Sequence, residues 1–242
     1  MEARQRVKLT STNSSIGLIY ALKKIFIMSN LIEILSKEIG SKKINLIISG
    51  GNSPRKFLIE LIKKKNLIKY LRIFLSDERL AKKNKKHLNL INICHYFKKA
   101  GLDKQIKVLK KNSLKLRNIK NLSLNLKNNK TISILGMGED GHFASIFPYS
   151  KKINYLLDIK NKPNLIITEK LGNPCYRRIT MNLSMILESK KICLIINSKK
   201  KLNTFRKAIK LKNKYKYPIY SLYKEAKKKL YIFDAKTLKK IL

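Results

Sequence analysis

Apolar runs of strand length, each closed by a polar cluster and followed by a helix-like segment, constrain this chain more than any other feature. Residues 44–48 lead into "SGGNSP" (49–54), residues 72–75 into "SDER" (76–79), and residues 132–135 into "GMGEDGH" (136–142). Helical spacing runs over 32–39, with a possible reach back toward Ile25, over about 55–64 and over 88–100. In the second of these, Phe57, Leu58, Leu61 and Ile62 make an apolar face. Further strands are expected at 165–168, 192–197 and 230–233, while the Lys/Asn-rich stretch 110–130 reads as a surface helix and loop. With no repeat, linker or composition break, the alternation predicts a single α/β domain over 1–242: a mainly parallel sheet flanked by helices.

A chain of 242 residues is long enough to bury roughly 70% or more of its unfolded surface. It carries 56 Lys+Arg against 14 Asp+Glu, a formal charge of +42. Such a field attracts polyanions whatever the fold, which keeps a basic nucleic-acid-binding protein open as a reading of another class. The lysines are spread along the whole chain, however, together with Ile and Asn, whose codons share the same A/T bias. No zinc, helix-turn-helix or RNA-recognition signature accompanies them, so no specific nucleic-acid partner is expected. No apolar run reaches the roughly 18 residues of a membrane span. The segment 16–28 is briefly signal-like, but Lys23 and Lys24 split it and no small-residue cleavage site follows. The expected address is cytoplasmic, with no membrane partner. Cys94, Cys175 and Cys193 lack metal-ligand spacing and are expected to be packing residues.

The three clusters follow predicted strands, and open α/β sheets bind ligands beyond the carboxyl ends of their strands. In "SGGNSP", Gly50 and Gly51 expose backbone amides, Asn52 follows, and Ser53 and Pro54 suit the N-cap and first position of a helix. This is either an anion cradle or a plain strand–helix turn. In "SDER", Arg79 offers a forked contact to phosphate, and Asp77 can orient it or a substrate hydroxyl; a surface ion pair is the alternative. In "GMGEDGH", Asp140 can fix one nitrogen of His142 and leave the other as a base, with Glu139 secondary. The histidines are only His87, His95 and His142, so no metal is expected. Arg177 or Arg178 of "NPCYRRITMNLS" (173–184) could reach an anion, or both could be two more surface charges.

The segments "LIISGGNSP" (46–54), "IFLSDER" (73–79), "ILGMGEDGHFASIFP" (134–148) and "RITMNL" (178–183) resemble the 6-phosphogluconolactonase family, in order and spacing. "CLIINSKKK" (193–201) and "YIFDA" (231–235) are similar to its closing part. The resemblance implies a Rossmann-like sheet and cofactor-free, metal-free hydrolysis of 6-phospho-D-glucono-1,5-lactone, a phosphorylated sugar lactone, by a monomer or weak oligomer. It implies His142 as base, phosphate near the glycine loop and Arg79, and Arg178 as a further phosphate or substrate ligand. The sequence departs from the family at Asn52 and Ser53, where Ser-Thr is usual, and after Arg79, although Asn89 is retained as a match. The nearest rival is a glucosamine-6-phosphate deaminase-like enzyme, which carries a Glu before the proline of the histidine block. Here that position is Phe147, which cannot polarise an imidazole.

Overall fold

The computed structural model describes residues 30–39, 42–81, 84–98, 106–107 and 109–241. The signal-like stretch at 16–28, the extension of the first helix toward Ile25 and the end of the helix read at 88–100 lie outside them. The described chain runs α1 (Leu31–Ile39), β1 (Ile44–Ile48), α2 (Arg55–Lys63), a short α3 (Lys65–Ile68), β2 (Leu71–Leu75) and β3 (Asp77–Arg79). It continues with α4 (Asn89–Lys98), β4 (Ile106–Lys107), α5 (Leu116–Asn128), β5 (Thr131–Gly136) and α6 (Ile153–Leu157). Then come β6 (Leu165–Ile167), β7 (Arg178–Met181), α7 (Leu183–Leu187), β8 (Lys191–Ile196), α8 (Lys199–Leu211), α9 (Ile219–Ala226) and β9 (Leu230–Asp234).

Six strands form one parallel sheet in the order β4-β2-β1-β5-β8-β9. β1 reads "INLII" and is buried at every position, as a strand covered on both faces by helices must be. Asn45 is the polar exception, and its amide donates to the Asn125 carbonyl (3.0 Å) and the Thr131 hydroxyl (3.2 Å). Phe57, Leu58 and Leu61 are the buried side of α2, each contributing about 1.5–3 kcal/mol by leaving water. Cys193, fully buried in β8, packs as expected, and burial pushes its thiol up to about 12. Cys175 does not: it lies exposed on a loop.

The strand order positions the site. From β1 the chain moves outward through β2 to β4, then returns across β1 to begin the other half at β5. The switch point lies between β1 and β5, where connections leave the sheet in opposite directions and open a crevice. Ser49, just beyond β1, stitches it: its hydroxyl accepts from the Gly136 amide at the end of β5 (2.8 Å).

A second, antiparallel sheet, β3-β7-β6, was not expected from the sequence. The strand read at 165–168 belongs to it rather than to the main sheet. "SDER" is likewise not merely a strand-end loop, because Asp77–Arg79 pair with 178–180, setting Arg79 directly opposite Arg178. Among the described residues no helix is long and apolar enough to cross a membrane.

Candidate active site

Gly50, Gly51, Asn52, Ser53, Asp77, Arg79, His142 and Arg178 all line one cleft of about 400 Å³ at the switch point. Asp140 does not line it; it stands behind His142. The three strand-end clusters and the later arginine block therefore meet, although Gly50 and Arg178 stand 128 positions apart in sequence, because both sheets fold them together.

The turn after β5 presents the histidine. Gly138 N–H donates to the His142 carbonyl (2.9 Å), closing the loop. Asp140 Oδ1 accepts from the His142 backbone N–H (3.1 Å) and contacts Nδ1 at 2.6 Å. The pair lies so close to the backbone that a Cβ on Gly138 would sit 2.2 Å from Nδ1 and 2.5 Å from Asp140 Oδ1. Only glycine fits there. With a proton on Nδ1 shared toward Asp140, Nε2 keeps its lone pair. Burial alone would raise the Asp140 carboxyl, but the hydrogen bond and charge of His142 more than reverse this and hold it below its ordinary 3.8. A lowered folded value means that the pairing stabilises the chain above the unfolded pKa and is lost only as pH falls through the lowered one. The anchor therefore persists across the neutral range. Glu139 turns away and pairs with Lys200 at 2.6 Å.

Opposite this turn lies the arginine pair. Residues facing each other across an antiparallel ladder project to the same side, so β3 and β7 deliver two guanidinium groups together. Arg79 Nη1 donates to the His87 carbonyl (2.8 Å); Arg178 Nη2 donates to the carbonyls of Leu171 (3.2 Å) and Pro174 (2.9 Å). Both Nε atoms are buried without a partner among the described residues. Burial pushes Arg178 below its ordinary 12.5, opposed by the Asp77 charge. Arg177, by contrast, is exposed.

Asp77 enters the cleft as a counter-charge. Its Oδ1 accepts from Ser76 Oγ (2.8 Å), and its Oδ2 accepts from Asn89 Nδ2 (3.2 Å) and from Ser145 Oγ. These bonds take three of the roughly four acceptor positions of the carboxylate, and Asp77 still lines the cleft. Ser53 does not cap a helix: α2 begins at Arg55, Pro54 is itself the cap residue, and no side chain caps the helix. Freed from that role, Ser53 Oγ faces Lys201 Nζ at 3.4 Å inside the cleft.

Lys201, Ser145 and Asn173 line the cleft and were not singled out from the sequence. Lys201 sits in the first turn of α8 in a run of three lysines, indistinguishable there from the general excess. Burial lowers it from its ordinary 10.5, with Glu139 and Asp140 opposing. Ser145 sits with Ala144 at φ 59° and 43° in a two-residue hairpin turn closed by Ile146 N–H to the Phe143 carbonyl (2.7 Å). The left-handed conformation costs non-glycine residues energy, offset here by hydrogen bonds from Thr180 Oγ1 to the Ala144 carbonyl and from Ser145 to Asp77. Asn89, read as a family match, bonds the Asp77 carbonyl at 2.9 Å as well as its carboxylate.

Glu78 builds the platform from behind. Its Oε1 accepts from the amides of Arg79 and Asn89 (both 2.7 Å), and its Oε2 from that of Leu90 (2.8 Å). Burial pushes its carboxyl above the ordinary 4.5, and these three amides pull it partly back. Glu78→Ala is expected to destabilise the protein by about 1–3 kcal/mol for each buried amide left unpaired, read as a lower urea midpoint at pH 7. A midpoint within the error of the parent would mean that water replaces the carboxylate there.

The family model described as glucosamine-6-phosphate isomerases/6-phosphogluconolactonase matches residues 26–232. A 6-phosphogluconolactonase of Neisseria meningitidis is 30% identical over 180 residues, covering 72% of this chain and 77% of the relative. One from Thermotoga maritima is 28% identical over 178 residues, 69% of this chain and 76% of the relative. In structure, the chain is similar to a crystal structure of a 6-phosphogluconolactonase from Shewanella baltica, with a TM-score of 0.69 and 24% identity over 93% of this chain and 95% of that one. At that identity the structural likeness speaks to the fold.

Proposed function

This chain belongs to the family of glucosamine-6-phosphate isomerases and 6-phosphogluconolactonases, and on that premise we propose that it hydrolyses 6-phospho-D-glucono-1,5-lactone to 6-phospho-D-gluconate in the oxidative branch of the pentose phosphate pathway. One observation carries the reading beyond kinship. A histidine anchored through Nδ1 to a carboxylate opens onto the same cleft as two arginines and a lysine. That combination suits a substrate with a phosphate at one end and an electrophilic carbonyl at the other.

The phosphate binds Arg79 and Arg178, helped by Lys201, Ser53 and the amides of the Gly50–Gly51 loop. Charge-assisted hydrogen bonds of this kind are the strong ones. His142 Nε2 takes a proton from water as the oxygen attacks C1 of the lactone. The tetrahedral intermediate then collapses, the C1–O5 bond breaks, and O5 leaves with the proton returned by the imidazolium. The carboxylic acid formed ionises to solvent. Asp140 holds the imidazole in the productive tautomer and steadies its transient charge. The amides of Gly136 and Gly138 are already engaged by Ser49 and the His142 carbonyl, and that of Ser49 by the Ile134 carbonyl, which leaves those of residues 50–53 as candidate donors to the developing oxyanion. The reading includes a cytoplasmic setting, a monomer or weak oligomer and no specific nucleic-acid partner, supported by lysines spread over the sequence without a recognition motif.

The test is a coupled assay with freshly generated lactone against a no-enzyme blank, run beside glucosamine 6-phosphate. Acceleration of lactone loss alone supports the reading. Turnover of the amino sugar with none of the lactone would replace it by the deaminase reading.

A further inference from the structure

The imidazole of His142 is fixed by its own Cβ at Cγ and, among the described residues, by the 2.6 Å contact of Nδ1 to Asp140. A ring held along that one edge can still tilt about it and carry Nε2 off its target. Phe147 supplies the second constraint. Its ring centroid lies 4.2 Å from that of His142, with the planes 31° from parallel, so the phenyl backs the imidazole along its face. Phe147 is itself 5% exposed, and Arg178 Cζ lies over the same phenyl ring, 4.9 Å from its centroid.

The far side of Phe147 is also closed. Gly172 lies against its tip, where a Cβ would come within 2.6 Å of Phe147 Cζ and 2.9 Å of Arg178 Nη2. The strap holding Gly172 is tied down by Arg178 through the Leu171 and Pro174 carbonyls. Strap, phenyl and imidazole are therefore in register, one against the next.

We propose that Phe147 is a positioning residue for the reaction, fixing the plane of the His142 ring so that Nε2 points at the attacking water. The proposal rests on the reading of His142 as the base. Asp140 sets where the ring is pinned, and Phe147 sets which way it faces. Neither alone defines the direction of the lone pair. Small misplacements of a reacting group are expensive, so the effect belongs mainly in turnover. Arg178 also rests on the phenyl ring but keeps its anchors at the Leu171 and Pro174 carbonyls, so phosphate affinity should change less.

Phe147→Leu keeps an apolar side chain but removes the flat face. We expect kcat to fall about 10- to 100-fold, the scale of a misplaced catalytic group, with KM for the phosphorylated lactone changing less than about twofold. Proton NMR supplies a readout that a general loss of stability would not move. The chain has 3 histidines, and the His142 ring protons, shifted by the stacked phenyl, should alone move in the variant. Gly172→Ala presses on Phe147 without touching His142 and should also lower kcat. Alanine at φ 77° is itself strained and crowds Arg178 Nη2 as well, so the loss that reports on Phe147 is the part that a smaller side chain at 147 relieves. Leu at 147, being shorter, should suppress that loss in the double variant. Should Phe147→Leu fail to fold, Phe147→Met, unbranched and adaptable but likewise without a flat face, takes its place in the same kinetic and NMR measurements.

A kcat within twofold of the parent, or a loss lying wholly in KM, overturns the proposal. So does a further fall in kcat when Phe147→Leu is added to His142→Asn, since Phe147 would then be acting without the histidine. Near-normal turnover of His142→Asn by itself has a different meaning. It removes the base reading, and this proposal with it, whatever Phe147→Leu does.

Discussion

Replacing His142 with Asn is expected to lower turnover by about two to four orders of magnitude, the usual worth of a positioned general base, while leaving the fold intact. The side chain is partly exposed and its loss opens no large cavity. Phosphate affinity should persist, because the arginines and Lys201 do not depend on the proton transfer. Asp140→Asn should cost less in turnover, since the imidazole remains. An amide nitrogen facing Nδ1 would favour the tautomer that places the proton on Nε2, so its effect should still be measurable. Single-turnover rates of both variants against the spontaneous blank check this order. Near-normal turnover of His142→Asn would end this mechanism and point to Asp77, whose carboxylate lines the same cleft, as the base.

The second large effect is on binding. Arg79→Ala should raise KM for the phosphorylated lactone by about 10- to 150-fold, equivalent to losing one charge-assisted hydrogen bond of roughly 1.5–3 kcal/mol. Unphosphorylated gluconolactone should be nearly unaffected. Arg79→Lys should recover part of the loss, because a point charge replaces the charge but not the fork. Arg178→Ala should show the same substrate dependence with an added fall in stability, since that side chain also holds the Leu171 and Pro174 carbonyls. Equal losses on both substrates would mean that the arginines only support the fold.

Much of this was legible in the sequence because the relevant signals are local. Ile44–Ile48 is a continuous apolar run, and α2 shows its face at Phe57, Leu58 and Leu61. Gly138, Asp140 and His142 lie within five residues, so their turn can be read without knowing the fold. The second sheet could not be read this way. β3, β6 and β7 have three or four residues each, too few to display a period, and β3 pairs with a strand about a hundred residues further on. In α5, Ile119 and Leu126 are buried at helical spacing, but Lys, Asn and Ser around them mask the pattern. Lys201 was hidden by the abundance of its own residue type. Ser53 suits a helix cap by its place before a proline, a role the structure does not give it, whereas its membership of the glycine-loop cluster puts it where its hydroxyl is found, on the cleft beside Lys201.

The pairing of Arg79 with Arg178 on one rung of the β3–β7 ladder has a consequence for how this chain can vary. Side chains alternate faces along a strand, so inserting or deleting a single residue within either strand would turn one arginine to the opposite side. Exchanges of one residue type for another, of the kind that have filled the surface with lysine and asparagine, leave the rung untouched. The site is thus tolerant of compositional change yet intolerant of changes in length at two short places. The spacing of the three residues 77–79 is the ruler by which both cations are set.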